Sequence, residues 1–127
     1  MKMMGIDYGT KKIGLALSDA AGRFASPLEV IPSGGQAVAQ VAVICVKEGV
    51  EKIVIGCSLD YAGEPNPIMW PAEKFADQLR SQTGLAVEFE LEVLTTKEAE
   101  REIGRDALTD ARAAALILKS YIDRQIK

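Results

Sequence analysis

The sequence contains no histidine. No imidazole can therefore act as a general base, a metal ligand or a member of a catalytic triad. Any hydrolytic chemistry must rest on carboxylates, Lys, Tyr or a metal ion. Cysteine is nearly as scarce, with Cys45 and Cys57 as the only examples. They form no C-x-x-C pair, and both are expected as reduced thiols in or near the core rather than as a disulfide or a catalytic pair. An excess of basic residues is also missing, since Lys and Arg number 15 against 18 Asp and Glu, for a net charge of −3. This balance argues against a large nucleic-acid footprint but leaves room for a local basic patch. No apolar run reaches the roughly 20 residues of a membrane helix. The opening "MKMMGIDYG" lacks the long apolar region and cleavage site of a signal peptide. The expectation is a cytoplasmic protein with no membrane partner.

What is present suits one compact domain over residues 1–127, with 48% apolar and 26% charged residues. No internal repeat, low-complexity tract or linker interrupts it. The stretch "GIDYGTKKIGLALSD" places Asp7 inside an apolar run, turns at Gly9 to Lys12, and becomes apolar again. Two such runs joined by a short Gly-containing link predict a β-hairpin. "FASPLEVIP" predicts a third strand, with Pro27 marking an edge or an irregular point. A helix is expected from about Gln36 to Glu48, with Ser33 able to cap its start and Gly49 ending it. "EKIVIGCS" reads as a buried strand and "LDYAGEPNP" as a loop. "IMWPAEKFADQLRSQTG" reads as a helix with Pro71 in its first turn and Gly84 past its end. Trp70 opens this helix and is expected to pack rather than to stack on a base. "LAVEFELEVL" alternates as a strand, Thr95 and Glu98 have capping-box spacing before a short helix, and a final helix follows Thr109. The order βββαβαβαα predicts an α/β protein with a mixed sheet covered by helices.

A carboxylate in a buried strand is costly unless something pairs with it. Asp7 therefore reads as a metal or substrate ligand beside a turn whose glycine permits close backbone approach. The alternative is an Asp that caps the turn by accepting the amides of Gly9 and Thr10.

The motif D-x-G-T-K-x-I-G from Asp7, the central "VIGCSLDYAGEPNP", the later "LTTKEAE" and the closing "DARAAALILKSYID" occur in an order that resembles the YqgF (RuvX) family. The resemblance covers almost the whole chain. It implies a ribonuclease H-like fold, a five-stranded mixed sheet with strands 1–3 antiparallel and strands 4–5 parallel. It also implies a nuclease related to RuvC-type Holliday-junction resolvases and associated with 5′-end maturation of 16S ribosomal RNA. Nucleases of this fold are expected to hold Mg²⁺ or Mn²⁺ on a few carboxylates, a hard-cation chemistry that needs no histidine.

The resemblance carries over Asp7, Glu92 and Asp110 as the catalytic and metal-binding residues. Glu92 stands where the family has Asp-Glu-Arg before Leu-Thr-Thr, but here Leu91 and Val93 replace the Asp and the Arg. In "VEFELEV" the alternative is that Glu88, Glu90 and Glu92 are simply the solvent-facing carboxylates of a half-buried strand. Asp110 matches the acidic position of the terminal helix, although an Asp in a helical first turn is favoured by the exposed amides alone. Thr10, Lys11, Lys12, Ser58 and Asn66 are candidate substrate contacts. For Lys11 and Lys12 an ordinary solvated turn is the competing reading. The basic stretch that the family places before its last helix is reduced here to "REIGRDAL". Nucleic-acid grip is therefore expected to be weaker, or supplied by a partner.

The leading expectation is a metal-dependent nuclease of precursor ribosomal RNA, active in ribosome biogenesis, with ribosomal particles as further partners. The runner-up is a resolvase of branched DNA. A catalytically weak RNA-binding assembly protein is a third possibility. An ATPase of the actin and sugar-kinase type is disfavoured, because it would need a second domain.

Overall fold

The computed structural model describes residues 1–9, 11–57, 69–91 and 109–125, and only the backbone of Cys57, Met69, Trp70, Pro71, Leu91 and Thr109. The strands are β1 (Met3–Tyr8), β2 (Lys12–Ser18), β3 (Ala25–Pro32), β4 (Lys52–Cys57) and β5 (Ala86–Leu91). The helices are α1 (Ala37–Glu48), α2 (Met69–Thr83) and α3 (Thr109–Gln125). The strands form one sheet in the order β3-β2-β1-β4-β5. The β1–β2 and β2–β3 pairs are antiparallel, and the β1–β4 and β4–β5 pairs are parallel. This is the mixed five-stranded sheet expected from the sequence. The short helix expected after Thr95 lies outside the described residues.

The pleat divides the sheet into two faces. Met4, Ile6, Ile13, Leu15, Leu17, Ile53, Ile55 and Val87 form one core with Val41 and Cys45 of α1 and with Phe75, Ala76 and Leu79 of α2. Met3 and Val54 pack on the other face against Ile117, Leu118, Tyr121 and Ile122 of α3. The middle of β4 is therefore apolar on both faces, as a strand in a covered parallel arrangement must be. Each large side chain so buried contributes about 1.5–3 kcal/mol. Burial pushes the Cys45 thiol up to about 11, so it stays protonated as an inert core group.

The turn signals place the elements closely. Gly49 and Gly84 end α1 and α2 at φ values of 69° and 72°, in the left-handed region that glycine enters without strain. The register of β2 with β3 slips between Leu15 and Ala16, opposite Pro27, on an edge strand. Ser33 does not cap α1, whose N-cap residue is Gln36 with no side-chain cap bond. Its Oγ instead donates to the Gly9 carbonyl at 2.5 Å, and its amide donates to the Lys11 carbonyl at 3.0 Å. Both bonds brace the β1–β2 turn, so a long-range contact has taken the hydroxyl that the local capping rule assigned to the helix.

The alternating carboxylates of β5 also differ from expectation. Glu88 is exposed, as a solvent-facing strand carboxylate would be, but Glu90 is buried. Both lie on the α3 face, where Tyr121, Ser120 and Arg124 hold them, and Glu90 is only 3% exposed. The period of two sets the faces, but α3 covers the polar side only at Glu90 and leaves Glu88 exposed.

Candidate active site

β1 is the central strand, and Asp7 sits half-buried near its C-terminal end. Asp7 is paired across the antiparallel ladder with Gly14. Directly opposed residues in a ladder point to the same face. At Gly14 that face is occupied by the start of α3, because a Cβ built there would lie 1.9 Å from the Asp110 carbonyl oxygen and 2.8 Å from the Ala111 amide nitrogen. The backbone of Asp110 thus rests on the residue next to Asp7. Two carboxyl-bearing residues 103 positions apart in the numbering are brought to one end of one sheet face.

The approach repeats one helical turn further along. A Cβ on Gly5 would meet the Ala114 carbonyl oxygen at 2.6 Å and the Leu118 Cβ at 2.8 Å. Gly5 pairs with Ala16, and the facing helix residues Ala111 and Ala114 are fully buried. Small residues on both partners let α3 lie almost on the backbone of β1 and β2. Gly5 and Gly14 are positioning residues that sequence reading passed over, although a glycine inside a strand is itself a signal of close approach.

The turn that follows Asp7 is held from two sides. Ser33 braces it as described, and a Cβ on Gly9 would lie 2.5 Å from the Lys12 carbonyl oxygen, so only glycine fits there. Lys11 and Lys12 are exposed. Ile13, Leu15 and Leu17 belong to the opposite core, so Lys12 shares the pleat face of Gly14 and therefore of Asp7.

Of the expected site residues, the structure brings Asp7, Asp110 and Lys12 to one face, with Lys11 in the adjoining turn. Thr10, Ser58, Asn66 and Glu92 lie outside the described residues, Glu92 being the next residue after β5. Among the described residues no group of three or more His, Cys, Asp or Glu is arranged to hold a metal ion. Asp7 and Asp110 supply hard oxygen donors of the kind Mg²⁺ accepts, and that ion commonly takes one or two carboxylates and completes its shell with water and substrate phosphate. Both residues carry oxygen donors of the right chemistry for such a cation.

A family model described as RuvX, Holliday junction resolvase, matches residues 1–124. A protein of Bordetella petrii with the name "Putative pre-16S rRNA nuclease" is 37% identical over 95% of this chain and 94% of its own length. A protein of the same name from Pelotomaculum thermopropionicum is 38% identical over 98% of this chain and 88% of its own. Among solved structures, Thermus thermophilus RuvC in complex with a Holliday junction substrate aligns with a TM-score of 0.65 at 17% identity, over 99% of this chain and 96% of that one. The fowlpox virus resolvase aligns with a TM-score of 0.55 at 11% identity, over the full length of both. These two similarities are of fold, the ribonuclease H-like arrangement described above.

Proposed function

Since the chain belongs to the RuvX family, we propose that it is a metal-dependent nuclease that cleaves phosphodiester bonds in precursor 16S ribosomal RNA during 5′-end maturation. The observation that carries this reading is the seating of Asp110 on Gly14, the cross-strand neighbour of Asp7. Curated relatives with the pre-16S rRNA nuclease name, matching over nearly their whole length, support the choice of substrate. Such a substrate would place the protein in the cytoplasm, with ribosomal particles as partners.

In this reading Asp7 and Asp110, with Glu92 as the third carboxylate by sequence, hold Mg²⁺ or Mn²⁺. These residues would hold the cation, whose chemistry there would be activation of a water and stabilisation of charge on a phosphate. The chain's own residues set the geometry. Asp7 is fixed by the β1–β2 ladder, and Asp110 by the close contact of α3 with Gly14. Lys11 and Lys12 offer point charges to backbone phosphates beside the carboxylates, and such contacts orient a nucleic acid without reading its sequence. Thr10, Ser58 and Asn66 are the further proposed substrate contacts.

Cleavage of a branched DNA junction is the second reading, favoured by the description of the family model. The two separate in one assay. Labelled precursor 16S 5′-leader RNA and a four-way DNA junction are incubated with the protein and Mg²⁺ or Mn²⁺, with and without chelator. We expect chelator-sensitive cleavage of the RNA and an intact junction. Cleavage of the junction alone would establish the DNA reading. If the RNA is bound but neither substrate is cut, the nuclease reading fails, and the weakly catalytic RNA-binding role, consistent with Leu91 and Val93 beside Glu92, takes its place.

A further inference from the structure

Helix α1 has no polar face. From Ala37 to Val46 it carries no charge and one polar side chain, Gln40. Ala37, Val41 and Cys45 bury one side of it in the core. On the other side Val43 is 66% and Val46 85% exposed. The neighbouring helices differ. α2 presents Glu73, Lys74 and Asp77 to solvent, and α3 presents Lys119 and Asp123, as surface helices ordinarily do. A helix that is apolar all round is expected to be covered all round. Among the described residues, this chain covers α1 on one side only.

The outer side of α1 continues into a groove of about 520 Å³ beside the edge strand β3. Ala39, Gln40, Val43 and Ile44 form one wall, and Glu29 and Ile31 belong to the other. Glu29 and Ile31 oppose Leu15 and Ile13 in the ladder, which places them on the α1 side of the sheet. Val46 lines a second groove, of about 320 Å³, with Ala42 and Leu85 on the α2 flank. Charge stands only at the margins of this apolar surface. Glu29 is exposed on the β3 wall, and Lys47 is exposed in the last turn of α1, on the helical row of Ala39 and Val43. Among the described residues neither forms an ion pair.

We propose that this surface is a contact between two copies of the chain, with their α1 helices antiparallel and the two-fold axis at Val43. Lys47 and Ala39 lie four residues on either side of Val43. The axis therefore sets Lys47 of one copy opposite Ala39 of the other, across the groove from Glu29. Symmetry makes this pairing twice, because a two-fold contact uses the same patch on both copies. One surface thus supplies both the apolar middle and the complementary charges that its own copy requires. α1 has 12 residues and spans about 18 Å. A strip of that length with its grooves falls at the low end of specific interfaces, below about 1,200 Å² in total. The dimer is therefore reversible, with a dissociation constant in the micromolar range. α1 lies on the face opposite α3, so the face with Asp7 and Asp110 points outward on both copies. The proposal stands apart from the nuclease reading and needs neither metal nor substrate.

Sedimentation equilibrium of the full chain, from low micromolar to near-millimolar concentration, tests it. The wild type should pass from monomer to dimer and form nothing larger. Val43→Glu puts charge on an exposed side chain at the axis, so the monomer should keep its fold and far-ultraviolet dichroism while association weakens at least about 100-fold. Lys47→Glu sets like charges opposite each other twice and should weaken association by about tenfold, as should Glu29→Lys. The double variant E29K/K47E exchanges the charges and should recover the wild-type affinity to within about threefold. A wild type that stays monomeric throughout would overturn the proposal and assign the surface to another partner. A dimer indifferent to V43E would show that the copies meet elsewhere, and would overturn it too. Loss with V43E but no recovery in the charge exchange would overturn the antiparallel arrangement.

Discussion

Asp7→Asn should lower metal-dependent RNA cleavage by at least about 100-fold while the protein stays folded. The expected loss follows from removing a charged oxygen donor at the C-terminal end of the central strand. Folding is expected to survive because Asn keeps the shape of Asp and its side-chain oxygen still accepts a hydrogen bond. Asp7 and Asp110 are held toward one face by the Asp7–Gly14 pairing and the Gly14–Asp110 contact. Activity and thermal unfolding measured on the same preparation distinguish this role from that of a turn-capping Asp. A cap would lose stability on substitution, by about 0.5–2 kcal/mol, without a selective loss of activity.

The second large effect comes from a residue with no side chain. Gly14→Ala would place a Cβ 1.9 Å from the Asp110 carbonyl oxygen, a distance no real pair of such atoms adopts. The obstruction is helix backbone rather than the tip of a flexible side chain, so the start of α3 must move. Overpacking of this kind costs about 1–3 kcal/mol of stability. A misplacement of about 1 Å in a catalytic group can cost about 100-fold in rate. We therefore expect G14A to remain folded at low temperature, to unfold earlier, and to lose about 100-fold in cleavage. Gly5→Ala provides the control. Its Cβ would strike α3 at Ala114 and Leu118, one and two turns from Asp110. It should destabilise the protein to a similar degree with a smaller loss of activity. Equal activity losses in the two variants would mean that both act only through stability. An active, stable G14A would show that α3 does not need its present seat.

Much of this geometry was legible in the sequence. The D-x-G-T-K-x-I-G stretch specified a hairpin, because two apolar runs with a glycine turn between them have few other solutions. Gly49 and Gly84 ended their helices as expected, and Pro27 marked the irregular point of an edge strand. These features are local, and local rules decide them. What the sequence did not reveal depended on distant partners. Ser33 was read as a helix cap, but the Gly9 carbonyl, 24 residues away, takes its hydroxyl. The alternation of Glu88 and Glu90 gave the faces of β5 correctly, yet only the packing of α3 decides that Glu90 is covered while Glu88 stays exposed. The roles of Gly5 and Gly14 appear only when the helix backbone is placed on the strands. In the candidate site, Asp7 was legible from the cost of a charge in an apolar strand, whereas Asp110 was carried by resemblance alone until its contact with Gly14 was seen. The same long-range contacts that escaped local reading are those that assemble the site.

Asp7 and Asp110 are proposed to hold one divalent cation together. Titration of the wild type, Asp7→Asn and Asp110→Asn with Mn²⁺, followed by the paramagnetic resonance signal of the free ion, tests it without any nucleic-acid substrate. Saturable binding at one site is expected in the wild type, with at least about tenfold weaker binding in each variant. Wild-type affinity retained in both variants would contradict it.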